Sequence, residues 1–165
     1  MKSLKVFFDL DGTLFDLYGK SDWLFKLENE IEGVFSSGDL MPEIDRDELY
    51  SAVADLAEFG VEFNVITWLP MQASREYQEI CTAEKIAWVR ENLPFINNIV
   101  CQPYGTPKQY GIIQKAYRCI LIDDNAEVCE MWNTPKMRAS YNVNSDFTAV
   151  SALKEIFKQI WVNGE

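Results

Sequence analysis

Five short apolar runs punctuate the chain: LKVFFDL (4–10), VEFNVIT (61–67), NNIVCQP (97–103), CILIDDN (119–125) and RASYNV (138–143). Their lengths, β-branched content and turn residues predict strands, the first of them buried, the third short and the last weaker. The intervening stretches carry apolar residues at helical spacing. They cover 21–35 (Leu24, Leu27, Ile31, Val34), 46–60 closed by Gly60, about 72–93, and 106–116 opened by Thr106 and Pro107. A short helix is expected after the fourth run, and Val150, Leu153, Phe157 and Ile160 give a closing helix its apolar face. Strands alternating with helices predict an α/β fold, a Rossmann-like parallel sheet flanked by helices. With no linker, repeat or low-complexity tract, residues 1–165 read as a single domain.

In such a sheet, functional groups gather beyond the carboxyl ends of the strands. The polar residues fall there. Asp9 and Asp11 leave the first run, Thr67 and Trp68 end the second, and Asp123 and Asp124 end the fourth, while Lys108 sits in the first turn of the segment after Thr106. Alternation along a strand would send Asp9 and Asp11 in one direction if the strand persisted, and Gly12 frees the backbone to turn and approach a ligand closely. Four carboxylates on one rim repel each other unless a cation lies among them. Mg²⁺ suits that need, because it takes oxygen ligands and keeps positions open for water and phosphate.

Composition narrows the chemistry further. The chain has no histidine, which removes histidine triads, histidine-based phosphatases and most zinc sites. A net charge of −11 argues against long nucleic acid as a partner but leaves room for a small phosphorylated substrate, whose charge one metal ion and one lysine can balance. Cys81, Cys101, Cys119 and Cys129 show no CxxC spacing and read as free thiols. No run approaches the roughly 18 apolar residues of a membrane span, and the first residues read as a strand rather than a signal peptide, so a cytoplasmic location and no membrane contact are expected.

The ordered set DxDGT (9–13), hydrophobic-hydrophobic-Thr (65–67), Lys108 and hydrophobic-Asp-Asp (122–124) resembles the haloacid dehalogenase superfamily of phosphohydrolases. FFDLDGTLFDLYG, VITWLP, PYGTPK and LIDDN look most like its small bacterial and phage members, described as similar to 5'(3')-deoxyribonucleotidases. The resemblance implies that Asp9 is a nucleophile forming an aspartyl-phosphate and that Asp11 is the general acid and base, also binding Mg²⁺ through its backbone carbonyl. It further implies that Thr67 and Lys108 hold phosphoryl oxygens, with donors around Leu10, Gly12 and Trp68, and that Asp9, Asp11, Asp123 and Asp124 form the metal site. Relatives that cleave carbon–halogen bonds lack the second acid, so phosphomonoester hydrolysis is the expected reaction. A metal-binding interaction protein and a phosphotransferase to an acceptor other than water are the rival readings.

The 56-residue interval from Asp11 to Thr67 leaves room only for a minimal cap, about residues 17–45. Within it Trp23 and Phe25 read as helix-packing residues and Glu28, Glu30 and Glu32 as a solvated face, while Asp16 is either an entrance residue or a loop acid. Trp68 is either a core aromatic or a surface on which a nucleobase stacks. Lys85 and Lys115 are substitutes for Lys108, but both fall inside helical patterns. A second TPK, at Thr134, Pro135 and Lys136, follows LIDD and so stands in the wrong order.

Overall fold

The computed structural model describes residues 3–112, 118–133 and 138–163. Five strands, β1 (Leu4–Phe8), β2 (Glu62–Trp68), β3 (Asn98–Gln102), β4 (Arg118–Asp123) and β5 (Arg138–Asn142), form one sheet in the order β3-β2-β1-β4-β5. Every pairing is parallel. The chain winds from β1 to one edge, then crosses to β4 on the other side of β1, so the switch in strand order lies between β1 and β4. The α/β, Rossmann-like class expected from the alternating runs is the one observed.

Alternation along the strands divides the core. Val6 and Phe8 of β1, Val65 of β2, and Ile120 and Ile122 of β4 join the larger cluster, which reaches α2 (Arg46–Ala57), α3 (Arg75–Asn92) and α5 (Ala149–Asn163). Phe7, Ile66 and Leu121, the residues of opposite parity, join a smaller cluster with Val128 and Trp132 of α4 (Ala126–Trp132). Burial of each such side chain contributes about 1.5–3 kcal/mol. α2, α3 and α4 start where side chains accept the free backbone donors. Asp45 accepts from Glu48 N, Ser74 from Tyr77 N, and Asn125 from Glu127 N and Val128 N.

Two expected helices differ. The 21–35 segment is helical only over α1 (Trp23–Glu28), and Leu24, Phe25 and Ile31 stay exposed. Phe25 is therefore not a packing residue, whereas half-buried Trp23 meets the Tyr18 ring at 5.2 Å. Tertiary contacts outweigh the helical period here. Glu30 adopts a positive φ of 52° and accepts hydrogen bonds from Ser74 N and Oγ, so it tethers the segment to the start of α3 rather than forming a solvated face.

Further along, the Tyr77 hydroxyl donates to Ile31 O, Glu84 accepts from Gly33 N and Phe35 N, and Trp88 Nε1 donates to Gly38 O. These clips run along one face of α3, and the 17–45 segment follows them instead of its own periodicity. At the second site Thr106 caps nothing. A 3-10 turn (Lys108–Gly111) begins after Pro107 with no side-chain cap, and residues 113–116, the rest of the predicted helix, lie outside the described residues.

Candidate active site

The strand ends meet as the parity of the sheet dictates. Asp9 follows β1 with the parity of Phe7, and Asp123 ends β4 with the parity of Leu121, so both carboxylates turn to the face of the smaller cluster. Lys108 arrives there from the 3-10 turn. Its Nζ donates to Asp9 Oδ1 at 2.5 Å and to Asp123 Oδ2 at 2.6 Å. Thr67, with the parity of Val65, turns to the opposite face, towards α3. There Lys85, fully buried, donates to Asp11 Oδ2 at 2.6 Å, to Thr67 Oγ1 at 2.9 Å and to Trp68 O at 2.8 Å.

Asp9 and Asp11 therefore do not point the same way. β1 ends at Phe8, and the chain then turns through Gly12, whose φ is +80°, so strand alternation no longer governs Asp11. One acid goes to each lysine. Gly12 also lets the turn close: a Cβ there would lie 2.5 Å from Asp124 Oδ2 and 2.8 Å from the Tyr18 ring.

One carboxylate oxygen from each of Asp9, Asp123 and Asp124 lies within 4.8 Å of the others, an arrangement able to hold a metal ion. The Asp11 carboxylate stands outside this group, on Lys85. An all-oxygen donor set with excess negative charge fits a hard divalent cation such as Mg²⁺. Among the described residues, the four acids face two buried lysines, a formal excess of two negative charges. Asp123 has both oxygens engaged, one by Lys108 and the other by Asn125 N at 2.9 Å, whereas Asp124 pairs with no lysine among the described residues.

The electrostatics follow from burial. Burial, then the nearby Asp9 charge, push the Asp124 carboxyl up to about 7 and Asp123 up to about 6. Asp11 is also raised, by burial first, against the opposing pull of Lys85. Its Oδ1 is buried with no hydrogen-bond partner among the described residues. For Lys108 burial works to lower the pKa, but Asp9 and Asp123 together raise it, so the ammonium stays charged.

Of the residues predicted from sequence, Asp9, Asp123 and Lys108 converge on the face of the smaller cluster with Asp124 beside them at the strand ends, and Asp11 and Thr67 meet on the other face. Leu10 is buried, with its carbonyl accepting from Leu14 N and Phe15 N. Trp68 is half-buried, its Nε1 donating to Thr106 O at 2.8 Å and its ring 5.4 Å from Lys108 Nζ and 5.0 Å from the Tyr104 ring. Asp16 accepts from Gly19 N and closes a turn. Lys115 and residues 134–136 lie outside the described residues.

Sequence reasoning underrated Lys85. A charged residue at a helix position whose neighbours Cys81, Trp88 and Val89 are buried was the available signal. It also gave Thr13 no role. The Thr13 hydroxyl lies 3.4 Å from Asp9 Oδ2 and from Asp124 Oδ1 and accepts from Asp124 N at 3.1 Å, so it braces two of the candidate metal ligands.

No family model and no curated protein matches the sequence. Among solved structures, a chain of the Pnkp1/Rnl/Hen1 RNA repair complex superposes with a TM-score of 0.55 at 18% identity, over 87% of this chain and 43% of that one. The present chain thus spans less than half of that protein's length. The D,D-heptose 1,7-bisphosphate phosphatase from Burkholderia thailandensis gives a TM-score of 0.48 at 12% identity, covering 94% of this chain and 98% of that chain. At this identity the first likeness speaks for the fold alone, a parallel sheet flanked by helices. No helix among the described residues is long and apolar enough to cross a membrane.

Proposed function

We propose that this chain is a Mg²⁺-dependent phosphomonoester hydrolase of the haloacid dehalogenase type, acting on a small phosphorylated metabolite such as a nucleoside monophosphate. The observation that carries the reading is the grouping of Asp9, Asp123 and Asp124 around one point, with Lys108 bridging two of them. Asp9 and Asp124 are the direct carboxylate ligands in this reading. Asp123, held by Lys108 and Asn125 N, orients the set, and the Asp11 backbone carbonyl adds a further oxygen. When bound, Mg²⁺ supplies charge stabilisation on the phosphoryl oxygens.

The chain's own residues do the rest. Asp9 is the nucleophile: its carboxylate attacks phosphorus, the bond to the leaving oxygen breaks, and an aspartyl-phosphate forms. Lys108 has three donors, two of them engaged by Asp9 and Asp123, so one remains for a phosphoryl oxygen. Thr67 accepts from Lys85 and keeps its own hydroxyl proton to donate. Backbone N–H groups around Leu10, Gly12 and Trp68 add to the phosphoryl cradle. Asp11 is the general acid and base in this reading: burial raises its pKa, and through Oδ1, unpartnered among the described residues, it gives a proton to the leaving oxygen and takes one back from the water that cleaves the intermediate.

The net charge and the aromatic pair Trp68–Tyr104 at the rim support a small substrate with a planar group over long nucleic acid. A cavity of about 290 Å³ beside Asp124, lined by Tyr18, Met41, Asn144 and Thr148, offers room for the remainder of such a molecule. The short 17–45 segment acts as the minimal cap. Four free thiols agree with a reducing, cytoplasmic setting.

The test is phosphate release from p-nitrophenyl phosphate, nucleoside monophosphates and a 3'-phosphorylated oligonucleotide, with and without Mg²⁺. Turnover that needs Mg²⁺ and falls at least about 10³-fold in Asp9→Asn is expected. A wild-type protein inert on the whole panel overturns the reading, and a preference for the oligonucleotide overturns its substrate class.

A further inference from the structure

Among the described residues Lys85 is the one lysine with no exposed surface, and nothing in the proposed chemistry requires it to touch phosphate. Its three N–H donors are all spent, on Asp11 Oδ2, Thr67 Oγ1 and Trp68 O, so none is left for a ligand. The Phe35 ring lies 4.4 Å from its Nζ. Glu84, the residue before it on α3, accepts from Phe35 N at 2.9 Å and Gly33 N at 2.6 Å and so fixes that ring. Lys85 is thus locked from both sides, by its acceptors and by the segment packed over it.

The consequence falls on Asp11. A carboxylate two residues from Asp9 on the same loop would, left free, add a fourth acid to the group formed by Asp9, Asp123 and Asp124. Instead it stands outside that group. We propose that Lys85 is a positioning residue that holds the Asp11 carboxylate away from the metal and beside Thr67, so that Asp11 stays available for proton transfer. This rests on the metal reading given above and adds to it a division of labour: the lysine from α3 decides which acids bind the ion and which does not.

Lys85→Met separates this role from packing. Mg²⁺ binding to the metal-free full chain, followed by calorimetry, should tighten about tenfold as the released carboxylate joins the site. Water-proton relaxation with Mn²⁺ as the probe should report one bound water fewer than in wild type. The kcat for a phosphomonoester should fall about 10²-fold with KM little changed, because the proton donor is displaced. Lys85→Arg, which keeps the charge on Asp11, should restore the wild-type water count, and Lys85→Met/Asp11→Asn should do the same by removing the extra ligand.

Lys85→Gln serves in place of Lys85→Met should the latter not fold. An unchanged water count in the uncharged variant, or a lowered count that persists in the double variant, overturns the proposal. The metal measurements need no substrate, so they stand or fall apart from the phosphatase assay.

Discussion

The two buried lysines at the rim look alike in composition and differ in what they leave free. Lys108 enters on the face of the smaller cluster, from a four-residue 3-10 turn, and bridges Asp9 and Asp123 with one donor to spare. Lys85 enters on the opposite face, from the middle of the 18-residue α3, and every donor is filled by protein. A lysine with an open donor can answer a ligand, whereas a saturated one can only hold its neighbours in place. The difference also separates the acids. Those on the Lys108 side gather with Asp124 into a metal-sized group, and Asp11 on the Lys85 side is kept as a single carboxyl with an unpaired oxygen.

The largest effect expected on this contrast comes from the open lysine. Lys108→Met should lower kcat/KM by about 10²–10³ and leave Asp9 and Asp123 uncompensated, and steady-state kinetics on any accepted phosphomonoester checks it. A loss smaller than that measured for Lys85→Met would reverse the assignment of the two roles. Next comes Gly12→Ala. The added methyl would press on Asp124 Oδ2 and the Tyr18 ring at a φ of +80°, costing about 1–3 kcal/mol in strain and moving a proposed metal ligand. Mg²⁺ affinity by calorimetry should fall about tenfold, with a lowered Tm.

The acid group also sets a pH dependence of stability. Burial, then the Asp9 charge, push the folded-state Asp124 and Asp123 carboxyls up from the usual 3.8 to about 7 and about 6. Raised carboxyl pKa values favour the folded state fully at low pH, and that contribution is lost as pH rises from about 4 through about 7. Without metal, these groups should therefore pull Tm down across that window. Mg²⁺ should lift Tm more at neutral pH than near pH 5, because it binds the deprotonated form. Thermal melts with and without Mg²⁺ read both trends; a larger lift at the acid end would contradict the Asp9–Asp123–Asp124 site.

The smallest effect is expected at the clip behind Lys85. Glu84→Gln halves the acceptors available to Gly33 N and Phe35 N and should cost about 1–2 kcal/mol by denaturant unfolding, with kcat lowered less than in Lys85→Met. A kcat unchanged from wild type would show that Lys85 keeps its place without the Phe35 ring.

Much of this was legible in the chain itself. Each of the five apolar runs became a strand, the central β1, β2 and β4 buried on both faces and the edge strands β3 and β5 mostly half-buried. Strand parity even carried Asp9 and Asp123 to one face and Thr67 to the other. The helix expected over 21–35 failed for the opposite reason. Leu24, Leu27, Ile31 and Val34 have the right spacing, but burial came only to Val34 and in part to Leu27, and the backbone followed the polar clips of α3 instead. Periodicity reports a face that could be buried; only the neighbour that covers it makes the burial real.

The order of acids, hydroxyl and lysine along the chain determined which groups lie at the carboxyl end of the sheet, since a parallel sheet brings all its strand ends to one rim. What tertiary structure alone decided is the pairing across that rim. Asp11 leaves the parity of β1 at the Gly12 turn, and Lys85 reaches it across 74 residues of sequence. No local pattern encodes that meeting, because a buried ammonium persists only where three separate segments, the 9–13 loop, the end of β2 and α3, bring acceptors to it at once.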